Sequence, residues 1–308
     1  MSLRLEMLQV ARLAPKLLGE STELVKSYLQ SQWHPAGGFC DREGKQDLYY
    51  STFGIAGFLA LQLPLPHVKL ANYLHSQTHR IQDLNLVDLS CLARCWAFVP
   101  KELWIEDIDA MILERMTDFQ ASDGGYFTDL GETHGSLYGC YVALGIAQDM
   151  GADQHQRFTD AQRIHPAMQP EPMLACIRSR LAADGGYSNS PDLPFGLTPT
   201  TAAAASLFRH LGSDEGMATR DWLLSQMHQD GGFCVGPGIV MPDLLSTATA
   251  LHALSSIHFD LQPIADKTLD YLDTLWTARG GFFGSWEEDT LDIEYTYYGL
   301  LSLGHLSV

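Results

Sequence analysis

Apolar residues along this chain fall at helical spacing in paired stretches, with a glycine-rich break between the members of a pair. Residues 215–228 show this most clearly: Met217, Trp222, Leu223, Leu224 and Met227 cluster as on a helix with one buried face. Gln229-Asp230-Gly231-Gly232 ends that stretch, and a loop with Pro237, Gly238 and Pro242 follows; glycine accepts the positive φ of a helix stop at little cost. The next helix is predicted to open at Asp243 and to carry Leu244, Leu245, Ala248, Ala250, Leu251, Ala253 and Leu254. Its leading acid suits the positive end of the helix dipole. First helices of the same kind are predicted at 108–119, 172–181 and 264–276, and second helices contain small residues such as Gly54, Ala56, Gly57 and Ala202 to Ala205.

The break itself repeats. Gly-Gly followed by an aromatic residue occurs at Gly37-Gly38-Phe39, Gly124-Gly125-Tyr126, Gly185-Gly186-Tyr187, Gly231-Gly232-Phe233 and Gly280-Gly281-Phe282. The gap between the first two copies is the longest, and it contains one more helical stretch, 86–99, without the glycine signature. Six units therefore account for the chain. Such periods mark stacked supersecondary units, none of which can bury its apolar face alone. The chain reads as all-α: six helical hairpins, with small-residue second helices inside and more charged first helices outside. Closed on itself, this is an (α/α)6 toroid of two concentric rings, a single domain over residues 1–308. The same pattern also fits an open solenoid, and contact between the first and last hairpins separates the two.

Composition narrows the partners. A formal charge of −18 repels nucleic acid and anionic membrane surfaces and leaves room for a cationic partner. The six cysteines (40, 91, 95, 140, 176, 234) include no CxxC pair, which fits a reduced compartment. No apolar run approaches the ~18–20 residues needed to span a bilayer, and the first residues carry no signal-peptide core. The expectation is a soluble, cytoplasmic protein without a membrane span.

The repeat, densest over residues 37–57 (GGFCDREGKQDLYYSTFGIAG), resembles that of the protein prenyltransferase β-subunits, which share their fold with squalene and related terpene cyclases. The resemblance covers nearly the whole chain and implies the toroid, an isoprenoid diphosphate or similar apolar small molecule in its central cavity, and a helical α-subunit-like protein partner. It also implies a catalytic zinc held by a D-x-C and a D-x-x-H-T element. Here those elements read Asp292-Ile293-Glu294 and Asp47-Leu48-Tyr49-Tyr50-Ser51. Glu294 replaces the cysteine and Tyr50 the histidine; Asp243-Leu244-Leu245 in the fifth unit also lacks a thiol. Zinc is therefore not carried over, and neither a metal nor another cofactor is assigned. Arg42 and Lys45 have the spacing of the family's diphosphate-binding residues, whose charge-assisted bonds suit phosphate oxygens. The D-x-D-D acid of the cyclase branch has no match, so class II cyclisation is not expected.

The remaining constellations have two readings each. Asp47, Glu132, Asp243 and Asp292 begin second helices, either as helix-end partners or as a charged ring at the cavity mouth. Asp292 with Glu294 is the better pair for Mg²⁺ or Mn²⁺. Aromatics crowd the second helices, among them Tyr49, Tyr50, Phe53, Tyr138, Tyr141, Tyr295, Tyr297 and Tyr298; they suit either core packing or the wall of an apolar cavity. His134 reads as a general base or a cap-region residue, and Cys91 and Cys95 as packing residues or cavity thiols. The leading expectation is a prenyltransferase-like protein that binds an isoprenoid diphosphate in a central apolar cavity and, if it is an enzyme, transfers a prenyl group without the usual zinc site. Arg42 and Lys45 would hold the diphosphate, Tyr49, Tyr50 and Tyr295 would line the reacting end, and Asp47, Asp292 and Glu294 would organise a metal or an acceptor; Asp243 is counted with these as substrate-binding, and no catalytic residue is assigned. A non-catalytic interaction module and an (α/α)6 carbohydrate-active enzyme are the alternatives.

Overall fold

The computed structural model describes residues 2–152 and 169–308. Two N-terminal helices, α1 (Leu3–Ala11) and α2 (Pro15–Leu18), precede the hairpins. These pair α3 (Thr22–Ser31) with α4 (Leu48–Ala60), α5 (His67–Thr78) with α6 (Leu86–Ala97), and α7 (Ile108–Thr117) with α8 (Leu137–Asp149). The other three pair α9 (Pro170–Arg178) with α10 (Thr198–His210), α11 (Arg220–Ser225) with α12 (Leu244–Ser256), and α13 (Gln262–Leu275) with α14 (Ile293–Leu306). Each second helix packs against the next, and α14 returns to α4. The ring is closed, so the fold is the (α/α)6 toroid and not the open solenoid. No described helix is long and apolar enough to cross a membrane.

The hydrophobic pattern explains which helix goes where. In α13, buried Ala265, Thr268, Tyr271, Leu272 and Leu275 form one face, while Asp266, Lys267, Asp270 and Asp273 face solvent. Such a one-faced helix belongs outside. The inner helices are buried nearly all round, as α14 is from Thr296 to Leu306. The fifth outer helix departs from the continuous 215–228 stretch: a 3₁₀ segment, Asp214–Thr219, precedes α11. Gly216 there lies so close to the backbone of Ala205 that a side chain would collide with it.

The Gly-Gly-aromatic segments are the joints of the ring. A Cβ on Gly124 would strike the carbonyl of Pro172 in the next outer helix, and one on Gly231 that of Lys267. Gly280, in the last unit, meets Leu24 of α3 in the same way, so closure uses the contact that joins the other units. The following aromatic turns inward, and in four of the five units its amide donates to a hydroxyl of its own inner helix. Phe39 N binds Ser51 Oγ at 2.8 Å, Tyr187 N binds Thr201 Oγ1 at 2.9 Å and Phe233 N binds Thr247 Oγ1 at 2.9 Å. Burying each ring stabilises by roughly 1.5–3 kcal/mol. The inner-helix glycines receive these segments: Gly54 lies against the Phe39 ring and Gly299 against Phe282. They thus make room for their own unit's aromatic.

Helix α1 has no counterpart in the repeat and lies across the end where the inner helices terminate. Leu3 N donates to Gln148 Oε1 at 2.9 Å, Arg4 Nε to Asp149 Oδ1 at 2.7 Å, and Arg209 pairs with Glu6. Its Val10 carbonyl presses on Gly304 of α14. One end of the ring is stoppered by α1; the opposite end, where the inner helices begin, is the mouth.

Candidate functional site

Apart from α10, the inner helices begin with residues whose side chains satisfy a free amide of the first helical turn. Asp47 Oδ1 accepts from Tyr50 N at 2.8 Å, Asp243 Oδ1 from Ser246 N at 2.7 Å and Asp292 Oδ1 from Tyr295 N at 2.8 Å. Asn85 and Ser136 play the same part on α6 and α8. Asp243 also takes the Ser246 hydroxyl at 2.7 Å, and burial raises its pKa. Asp47 and Asp243 are helix caps outside the cavity wall.

Ring closure brings the first and last units together at the mouth. Arg42 reaches Asp292 Oδ2 through Nε at 2.9 Å and Nη2 at 2.6 Å, and Glu288 Oε2 through Nη2 at 3.3 Å. Its guanidinium also sits 5.8 Å from the centre of the Tyr295 ring. Burial opposes its charge, yet the bonds to Asp292 hold its pKa above the ordinary value. Arg42 is thus engaged by two carboxylates and is no free clamp for a diphosphate. Lys45 pairs with Glu43 at 2.6 Å, both side chains more than 70% exposed, and stands away from the cavity.

The cavity inside the ring measures about 330 Å³ and is walled by all six inner helices and α1. Aromatics form one side: Tyr49 and Phe53 on α4, Tyr138 and Tyr141 on α8, Tyr297 and Tyr298 on α14. Phe53 meets Tyr49 and Tyr298 edge-on, with ring centroids 5.0 and 5.5 Å apart. Opposite them, α10 presents Ala202 and Ala203, and these small side chains leave the space open. Tyr50, Tyr295 and His134 lie outside this wall, as does Cys95; Cys91 is in it, its pKa pushed up to about 11 by burial.

Among the described residues, Glu294 is the one carboxylate in the wall. Tyr49 Oη donates to its Oε1 at 2.6 Å. Burial pushes Glu294 up to about 7, outweighing the Tyr49 bond that lowers it, with the Asp292 charge adding to the rise. Burial likewise holds Tyr49 far above the usual phenol range. The two acids predicted to share a metal therefore engage different partners, Asp292 the Arg42 guanidinium and Glu294 the Tyr49 hydroxyl. With Tyr50 where the resemblance requires a histidine, the donors do not fit zinc. Among the described residues no three His, Cys, Asp or Glu side chains converge as a metal site.

Three residues of this cavity escaped the sequence reading. Arg4 and Arg94 line its closed end, and Asp149 stands behind them. Arg94 lies between Cys91 and Cys95 on α6 and reads from sequence as an ordinary cation near a helix C-terminus.

The sequence pattern of the prenyltransferase alpha-alpha toroid domain matches residues 6–88, 87–208 and 200–307. The structure is similar to Candida albicans protein geranylgeranyltransferase-I complexed with GGPP (TM-score 0.58, 17% identity, 83% of each chain covered). It is also similar to a variant of the type II terpene cyclase MstE from Scytonema in complex with geranylgeranyl dihydroxybenzoate (TM-score 0.60, 12% identity, 96% of this chain and 97% of that one). An unsaturated glucuronyl hydrolase specific for heparin matches as well (TM-score 0.59, 12% identity, 97% and 96% covered). These likenesses are of fold. The sequence matches no curated protein.

Proposed function

The chain belongs to the prenyltransferase alpha-alpha toroid family, and from that premise we propose that its central cavity binds a short isoprenoid-like molecule. One observation carries the reading: the ring encloses about 330 Å³ walled mainly by aromatic and aliphatic side chains, the setting in which proteins bind apolar ligands. That volume equals about eleven waters at ~30 Å³ each, room for on the order of ten to fifteen heavy atoms. Two proteins of the same fold are named with geranylgeranyl ligands; this cavity suits a shorter chain. The heparin-specific hydrolase shares the fold, but glycoside hydrolysis commonly uses two facing carboxylates, and among the described residues Glu294 is the one carboxylate that lines this cavity.

Glu294 supplies the chemistry. With its pKa at about 7 it is present in both protonation states near neutral pH and can give a proton to, or take one from, the end of the ligand that lies at the mouth. Transfer from a diphosphate fits less well, because Arg42 would have to leave Asp292 to meet it. Calorimetric titration with geraniol and farnesol tests the binding claim. Saturable one-to-one binding of geraniol, weaker for farnesol, is expected; no heat with either alcohol overturns the proposal. Parallel incubation with farnesyl and geranylgeranyl diphosphates is expected to release no pyrophosphate.

A further inference from the structure

The closed end of the cavity holds more positive than negative charge. Arg4 Nε takes Asp149 Oδ1 at 2.7 Å, while Arg94 Nε meets Asp149 Oδ2 only at 3.5 Å, long for a charge-assisted bond. Asp149 is 2% exposed, so two guanidiniums share a single buried carboxylate. Among the described residues no acceptor hydrogen-bonds either Nη of Arg94, whose side chain is 24% exposed and opens on the cavity. Nearby groups do not cancel the surplus. Glu6 is held by Arg209 and His210, and burial depresses His252 to about 4, which leaves it neutral. Glu294 belongs to the first turn of α14 and Arg94 to the third turn of α6, about 10 Å deeper by helical rise.

We infer that the closed end is a carboxylate subsite, with Arg94 pairing the acid group of a short apolar ligand that enters head first. One surplus charge matches a monoanion; a diphosphate would bring two or more charges to it. Arg4 is fixed by Asp149 and stacked 4.5 Å from the centre of the Phe98 ring, so Arg94 is the arm free to bind. This assignment rests on the cavity reading above and adds to it the ligand's class: an isoprenoid or acyl acid of about ten to fifteen heavy atoms.

Calorimetric titration of the full chain with citronellate and citronellol at pH 8 separates the two claims. The acid is expected to bind about 10- to 100-fold tighter than the alcohol, the range of a charge-assisted hydrogen bond in a desolvated site. Arg94→Gln should shrink that preference to within about threefold, and Arg94→Lys, which keeps the charge, should retain most of it. Equal affinities in the unaltered protein overturn the subsite and leave the apolar cavity standing. Binding of neither removes both claims. A preference that survives in Arg94→Gln overturns the role of Arg94. Should the glutamine variant fail to fold, the acid-to-alcohol ratio of the unaltered protein still decides the matter.

Discussion

At the mouth of the ring one guanidinium, Arg42, is met by two carboxylates, Asp292 and Glu288; at the closed end two guanidiniums, Arg4 and Arg94, share one, Asp149. The mouth owes its acids to helix geometry, because a helix start has amides to satisfy and Asp47, Asp243 and Asp292 satisfy them. The closed end owes its second cation to α1, which brings Arg4 onto the floor of the cavity beside Arg94 of α6. Charged residues at the mouth therefore serve mainly the fold, and Glu294 is the exception that faces the cavity. Charged residues at the floor are paired incompletely, which is how a binding site differs from a structural ion pair.

Removing Asp149 should break this contrast most severely. Asp149→Ala leaves two largely enclosed guanidiniums without their acid, and stripping one partner from a buried pair destabilises by about 3–5 kcal/mol; urea unfolding measures it. Next is Glu294. Its folded pKa of about 7 lies above its ordinary 4.5, so the folded state holds the proton more tightly than the unfolded chain does. Its contribution to stability is complete below about pH 4.5 and is lost as pH rises through 7, up to roughly 3 kcal/mol. Comparing unfolding at pH 5 and pH 8, Glu294→Gln should lose less stability than the unaltered protein; identical losses would place Glu294 in water. Smallest is the mouth. Asp292→Ala removes a cap and the partner of a half-exposed arginine, for about 1–2 kcal/mol, while Lys45→Ala should stay within about 0.5 kcal/mol.

The fold was legible because its joints repeat. Four of the five Gly-Gly-aromatic segments meet a carbonyl of the next outer helix in the same way, so the copies announced the units and Gly280 against Leu24 completes the circle. Helix α1 was not legible, since its nine residues carry no such marker and their role depends on helix ends far along the chain. The site was legible in part. Asp292-Ile293-Glu294 stood out at a helix start, yet which acid faces the cavity depends on the helix turn. Arg42 was found by spacing, but its partner Asp292 lies 250 residues away and meets it through ring closure alone. Arg94 is apparent only once α6 is placed with that side toward the cavity.

Ala203 of α10 faces the open space, and filling that space tests the central claim most directly. Calorimetric titration of Ala203→Phe with citronellol should show affinity at least about tenfold below that of the unaltered protein, with thermal stability preserved. Undiminished affinity in this variant would contradict the account, because the ligand would then be bound somewhere other than the cavity of the ring.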